Sequence, residues 1–269
     1  MKDSCKPSCH NRASTRTDNP FTMKVQDSRP PTVRVRQREL LSLANPRTLR
    51  SPEDLHQRLV QLEQRLAGDG RVTFVSAYRV ITRAGLDALS GGKLKDLPTS
   101  RALMTAFGRR YLVALEASLR GDPVPPAWRS HVDVAAGKPP SLRALTAAMD
   151  AHLTVDLAEA LAEIRAPASY RGDFLRFGEA LADATPGLAQ ALRRHGVEAE
   201  ALLGGGPVGD AVDAFAGDGA AGRLGFQVIR TEAWTTGQAL GNPALRPLIR
   251  HGLQVALAHR EWLLDRVAR

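Results

Sequence analysis

Apolar residues recur three and four positions apart through most of this chain, which is the spacing of one face of a helix. The clearest case is "SPEDLHQRLVQLEQRLAG", residues 51 to 68, where Leu55, Leu59, Leu62 and Leu66 form a 4, 3, 4 stripe. Ser51 is placed to cap it, Pro52 falls at the first helical position, Glu53 and Asp54 suit the first turn, and Gly68 ends it. "RVTFVSAYRVITRAGL" carries β-branched residues that would also suit a strand, but Phe74, Tyr78 and Ile81 keep helical spacing and predict a helix. A longer helix is expected from Thr99, as cap, to Leu119, with Gly121 as its stop. The prolines of "GDPVPPAW" and "AAGKPP" then interrupt the pattern, with Trp128 anchoring a short segment between them. Ser141 caps a helix that carries "MDAHLTVDL", residues 149 to 157. Further helices are expected at about 170–184, 186–195, 197–203, 209–216, 221–240 and 244–267, with "GNP" at 241–243 as the last turn. No alternating strand pattern and no repeating unit breaks this run. The expectation is an all-α protein, a single multi-helix bundle of about eight to ten helices.

Charge divides the chain unevenly. Its 269 residues carry a formal net charge of +9, but residues 1–50 hold 11 Lys/Arg against 4 Asp/Glu and the remainder holds 26 against 24. Residues 1–48, rich in Ser, Thr, Pro and Arg without an apolar period, are expected to be a disordered basic tail, and residues 49–269 one all-helical domain. The near-neutral domain offers no broad basic face, so nucleic-acid binding through the tail ranks third among the functions considered. With no secretory apolar core and no run of 18 apolar residues, the expectation is a cytoplasmic protein with no membrane partner. Asp3, Asp18 and Asp27 count against an organelle leader, and Met23 is an alternative start. Cys5 and Cys9 both lie in the tail, where "CKPSCH" has one residue too many between its thiols for haem attachment. The domain therefore has no disulfide, no catalytic thiol and no cysteine-based zinc site. "GGGPVGD" at 204–210 lacks the Lys and Ser/Thr of a phosphate loop, and no organic cofactor is expected.

The chemistry-bearing stretch is "MDAHLTVDL". At about 100° per residue, Leu142, Met149, Leu153, Leu157, Ala160 and Ile164 gather on one face. His152 then lies about a quarter turn from the centre of that face, with Asp150 and Asp156 on its opposite borders. Histidine and aspartate four residues apart make either a solvated ion pair or an acid/base pair in which Asp156 orients His152. They are also the candidate ligands of a divalent metal, which would need Asp150, Asp173 or Glu232 to complete its shell.

Several segments, in order, resemble a family of actinobacterial proteins catalogued as domain of unknown function 5995. They are "FVSAYRVIT", "FGRRYLVAL", "PPAW", "MDAHLTVDLAEAL", "YRGDFLRF" and "IRTEAW", spanning approximately residues 70 to 240. The most specific element is Ala151-His152 followed by Asp156-Leu157; Asp150 stands where the family pattern usually has Asn. The resemblance implies an all-helical domain and a site at this stretch, and brings no reaction with it.

Other residues are candidate parts of such a site. Arg230 and Trp234, one turn apart, could stack or reach an acidic partner, and Asp173 could supply a third carboxylate. Tyr78 and Tyr111 could hydrogen-bond a substrate, while His131, His195, His251 and His259 lack partners by spacing. The expected function is a small-molecule-acting enzyme in a helical pocket. His152, Asp156, Asp150 and Arg230 are its catalytic candidates, and Tyr78, Tyr111, Trp234 and Asp173 its substrate-binding candidates. Hydrolysis, elimination and cyclisation are not distinguished. The alternative is a helical module that binds a ligand or protein without catalysis.

Overall fold

The computed structural model describes residues 31–198 and 220–267, and these are helical with no strand among them. Both cysteines, Met23, the glycine loop at 204–210 and all or most of the helices expected at 197–203 and 209–216 lie outside the described residues.

The sequence expected to open the domain does form a helix, α2 (Pro52–Arg65). The Ser51 hydroxyl accepts the Asp54 N–H at 3.3 Å, and Leu55, Leu59 and Leu62 are buried. Helix is present before residue 49, however. Helix α1 (Pro31–Ala44) buries Leu40 and Ala44, so helix extends into the stretch expected to be tail. Its anchors are long-range: Gln37 Nε2 donates to the Leu119 carbonyl at 2.5 Å and Arg36 Nε to that of Arg65 at 3.0 Å.

Helix α3 (Val72–Ser90) resolves the strand-or-helix ambiguity, burying Val72, Phe74, Val75 and Tyr78. Its neighbour α4 (Leu97–Arg120) starts two residues before the expected Thr99. Asp96 is the cap, accepting the Thr99 N–H at 3.0 Å, and Pro98 sits in the first turn, where its missing N–H costs nothing. Gly121, at φ 76°, ends α4 in the left-handed region as expected. A 3₁₀ turn at Pro126–Trp128 leads into the short α5 (Arg129–Ala135).

Ser141 caps α6 (Leu142–Asp150), which continues through a π-helical turn (Ala151–Asp156) into α7 (Leu157–Glu163) without a break in the rod. Then follow α8 (Arg171–Ala182), α9 (Thr185–Arg193), α10 (Ala220–Leu240) and α11 (Arg246–Val267). With α6 and α7 counted as one rod, ten helices form the bundle among the described residues.

Two apolar regions meet along α4. One joins α1, α2 and α3 around Leu59, Leu62, Tyr111, Leu112 and Trp128. The other joins α7, α8 and α10 around Leu103, Leu157, Leu161, Phe174 and Trp234. Helix α10 lies so close to α7 that a Cβ on Gly237 would stand 2.8 Å from Leu161 Cβ and 2.9 Å from the Ala158 carbonyl oxygen. Replacing Gly237 with alanine should therefore force these helices apart and destabilise the protein by about 1–3 kcal/mol. Urea unfolding measures this, and an unchanged midpoint would show that the contact yields freely.

Candidate functional site

The π-helical turn decides where the sequence-predicted residues go. Within it the Leu157 N–H bonds to the His152 carbonyl, five residues back, so the rod takes in one residue more than an α-helix would over the same rise. The extra residue, worth about 100° of rotation, lets both sides of the turn face the core. Leu145 and Ala148 are buried before it, Ala151 and His152 within it, and Leu157, Ala160 and Leu161 after it. The uniform projection is thereby corrected, since Leu142, Met149 and Leu153 are only partly buried. His152 and Asp156 are not at a solvated boundary but inside, 2% and 6% exposed.

There, the His152 Nδ1 lies 2.9 Å from Asp156 Oδ2, and Trp128 Nε1 donates to the same oxygen at 3.0 Å. An indole N–H can only donate, and an ionised carboxylate only accepts. His152 therefore carries its proton on Nδ1, which leaves the Nε2 lone pair free, and Nε2 is buried with no hydrogen-bond partner. The imidazole lies flat on Phe107, ring centres 3.6 Å apart and planes 11° from parallel. Tyr78 at 4.7 Å and Phe74 at 5.3 Å meet it edge-on, and Tyr111 stands 6.2 Å away. Solvent approaches from the carboxylate side, where Asp156 lines a groove of about 280 Å³ with Arg110, Pro125, Glu159 and Arg250.

Burial sets the protonation states. It lowers the His152 pKa, and the hydrogen bond and charge of Asp156 offset this only in part, so the ring is held neutral. Burial, reinforced by the Asp156 charge, raises the Tyr78 pKa well above its ordinary value, and burial raises that of Tyr111. Both phenols stay protonated, and the Tyr111 hydroxyl is buried with no partner. His131, which has no partner by spacing, is 3% exposed, and its Nδ1 stands 2.8 Å from the Ala144 carbonyl, a structural role. Burial pushes its pKa down to about 4.

Not every candidate joins this cluster. Asp150 turns to α11, where its Oδ1 takes Arg260 Nη1 at 2.8 Å and the Thr154 hydroxyl at 3.2 Å. Burial raises its pKa and Arg260 opposes the rise. Asp173 instead holds the entrance of α4, accepting the Lys95 and Asp96 N–H groups at 2.7 and 2.5 Å while pairing with Arg176 at 2.5 Å. Burial alone would raise its pKa, but these donors together hold it below the ordinary carboxylate value. Trp234 packs with Phe174 and Tyr170 in the second apolar region. Arg230 does not stack on Trp234; it lies over Phe174, 4.0 Å from the ring centre. It reaches the His152 cluster through a narrow cavity, lined also by Tyr78, Thr82, Phe107 and Leu157.

For a metal, Nε2 is the ring nitrogen open to an ion, because Nδ1 is engaged with Asp156. Among the described residues no group of three or more His, Cys, Asp or Glu is placed to hold one. Trp128, Phe74 and Phe107 are site residues that spacing did not reveal. All three do lie in segments that carried the resemblance, Trp128 in "PPAW", Phe74 in "FVSAYRVIT" and Phe107 in "FGRRYLVAL".

An all-helical domain built around a buried, hydrogen-bonded His–Asp–Trp cluster is thus the class that fold and site define. The chain belongs to a family of unknown function (DUF5995), whose model matches residues 53–264. Neither the curated proteins nor the solved structures compared with it gave a match. No described helix is long and apolar enough to cross a membrane.

The buried imidazoles give the fold a pH dependence of definite sign. As pH falls below the ordinary value of 6.5, the unfolded chain takes up protons at His131 and His152 before the folded chain does, so stability drops. For His131, with a folded value of about 4, the loss at that pH is on the order of 3 kcal/mol. The urea midpoint should fall from pH 6.5 to 4, and less steeply in His131→Asn; equal slopes in the two proteins would refute the assignment.

Proposed function

We propose that the protein acts on a small, mostly apolar molecule, with His152 as the acid/base that moves a proton at Nε2 and Asp156 as the group that orients it. The observation that carries this reading is the unpartnered Nε2 of a buried imidazole whose other nitrogen is held by a carboxylate. A purely structural histidine of this burial would be expected to use both nitrogens, since an orphaned buried polar atom costs about 1–3 kcal/mol. The π-helical turn at the same six residues adds weight, because such turns gather at functional sites.

The chemistry follows from the protonation states. Neutral His152 accepts a proton at Nε2, and the resulting imidazolium is stabilised by Asp156, itself fixed by Trp128. Tyr78 and Tyr111, kept protonated by burial, are available as hydrogen-bond donors to a substrate oxygen. Hydrolysis, elimination and cyclisation all use such a set. A divalent ion at Nε2 is the metal-assisted form of the same reading. The proposed setting is the cytoplasm.

A second reading is favoured by one observation: His152 is only 2% exposed, as it would be in a module that encloses a ligand without transforming it. A panel of small apolar esters, lactones and hydroxy compounds, with product formation followed by mass spectrometry, separates the two. Turnover should fall by about 10²–10⁴ in His152→Gln and in Asp156→Asn. Equal rates in wild type and His152→Gln would rule out acid/base catalysis there, and binding without turnover would favour the second reading. Repeating the assay with a chelator and with added divalent ion assigns the metal-assisted form.

A further inference from the structure

Arg230, on α10, is 3% exposed and has no carboxylate partner among the described residues. Its single hydrogen bond runs from Nη2 to the Phe174 carbonyl at 2.8 Å, and Nε is buried with no acceptor. The Phe174 ring at 4.0 Å and Phe226 at 5.6 Å supply only aromatic faces. Room for the group is made by Gly178, where a Cβ would stand 2.4 Å from Nε. Buried cations are ordinarily paired, because desolvating a charge without a counter-charge is costly. Burial lowers the Arg230 pKa only to about 10, so the guanidinium is charged at neutral pH.

The surroundings say what kind of counter-charge is missing. Arg230 lines a cavity with Thr82, whose hydroxyl is also buried without a partner, and with Tyr78 and Phe107. The rest of the lining is apolar, including Leu103, Met104, Leu157 and Phe177. We propose that this cavity binds a small monocarboxylate with an apolar body. The carboxylate accepts from the Arg230 guanidinium and the Thr82 hydroxyl, and the body lies along Met104 and Phe177.

One guanidinium edge matches one carboxylate in shape and charge. A phosphate dianion would be left half-neutralised, since no second cation lines the cavity. The open space is about 30 Å³, enough for about one water molecule, so the ligand enters by displacing Met104. That side chain is unbranched and flexible, and its Cε already lies 2.7 Å from where a Cβ on Gly85 would be. Tyr78 and Phe107 belong both to this cavity and to the cage around His152. The acid is therefore the substrate class of the proposed acid/base chemistry; this last step rests on that reading, whereas the binding does not.

The test is calorimetric titration of the full chain with octanoate, octanamide and octyl phosphate. Octanoate should bind, and octanamide at least about tenfold more weakly. Arg230→Met should weaken octanoate by at least about tenfold while the unliganded variant unfolds at a urea midpoint equal to or above that of wild type, because an unpaired buried charge has been removed. Thr82→Val should weaken it by a smaller factor. Equal affinity for octanoate and octanamide overturns the proposal, as does no octanoate binding at millimolar concentration, tighter binding of octyl phosphate, or undiminished octanoate binding by Arg230→Met. The headgroup comparison on the unmodified chain decides the matter by itself if Arg230→Met does not fold. Binding is read without turnover, so failure of His152 catalysis leaves this result standing, and loss of carboxylate binding leaves the His152 test standing.

Discussion

One carboxylate oxygen, Asp156 Oδ2, takes two hydrogen bonds from rings that come from different parts of the chain. A carboxylate that is 6% exposed is tolerable only when its charge is met by donors, and here both donors are themselves buried. The arrangement constrains each partner in turn. Trp128 is drawn against the rod by its indole N–H, which fixes the proline-rich connection behind it. His152 is locked in one tautomer and one ring plane, against Phe107. The π-helical turn then has a clear role, because it lets the rod bury His152 and Asp156 together with the leucines and alanines on either side.

Four of the buried polar side-chain atoms that lack a hydrogen-bond partner gather around this centre. His152 Nε2 and the Tyr111 hydroxyl are unpartnered in one cluster; Thr82 Oγ1 and Arg230 Nε are unpartnered beside the adjoining cavity. Tyr78 and Phe107 are common to both places. A chain selected for stability alone would fill or pair such atoms, whereas positions that break local rules are where function is expected. Asp150 and Asp173 make the opposite case. Each is chemically able to act and each has an oxygen already engaged, Asp150 Oδ1 with Arg260 and Asp173 Oδ2 with the backbone at the start of α4, although Asp150 Oδ2 is buried without a partner.

The fold was legible where its determinants are local. Ser51, Ser141 and Gly121 act through atoms within a turn of themselves, so their capping roles follow from sequence. Helix α1 was not legible, because its arginine-rich sequence has a weak apolar face and its anchors are the Leu119 and Arg65 carbonyls, far along the chain. The four-residue spacing of His152 and Asp156 correctly paired them. Their depth could not be read, since a projection at constant rotation has no place for a five-residue hydrogen-bonded ring. Asp156 and Asp150 are identical in chemistry and differ only in what the tertiary fold brings to them. The same holds for Arg230, whose stacking partner is Phe174 on α8 rather than Trp234 on its own helix.

The π-helical turn makes the site depend on a count of residues as well as on their kinds. Between Leu145 and Leu161 both ends of the rod are pinned in separate apolar regions, and the surplus residue is absorbed only at Ala151–Asp156. Losing one codon there would let the segment close into ordinary α-helix, with every remaining side chain unchanged. The two pinned ends could still dock, but the histidine and the aspartate would no longer share a face with Trp128. The His–Asp–Trp arrangement is thus written into the length of the segment, and a length change would erase it as surely as removing the imidazole.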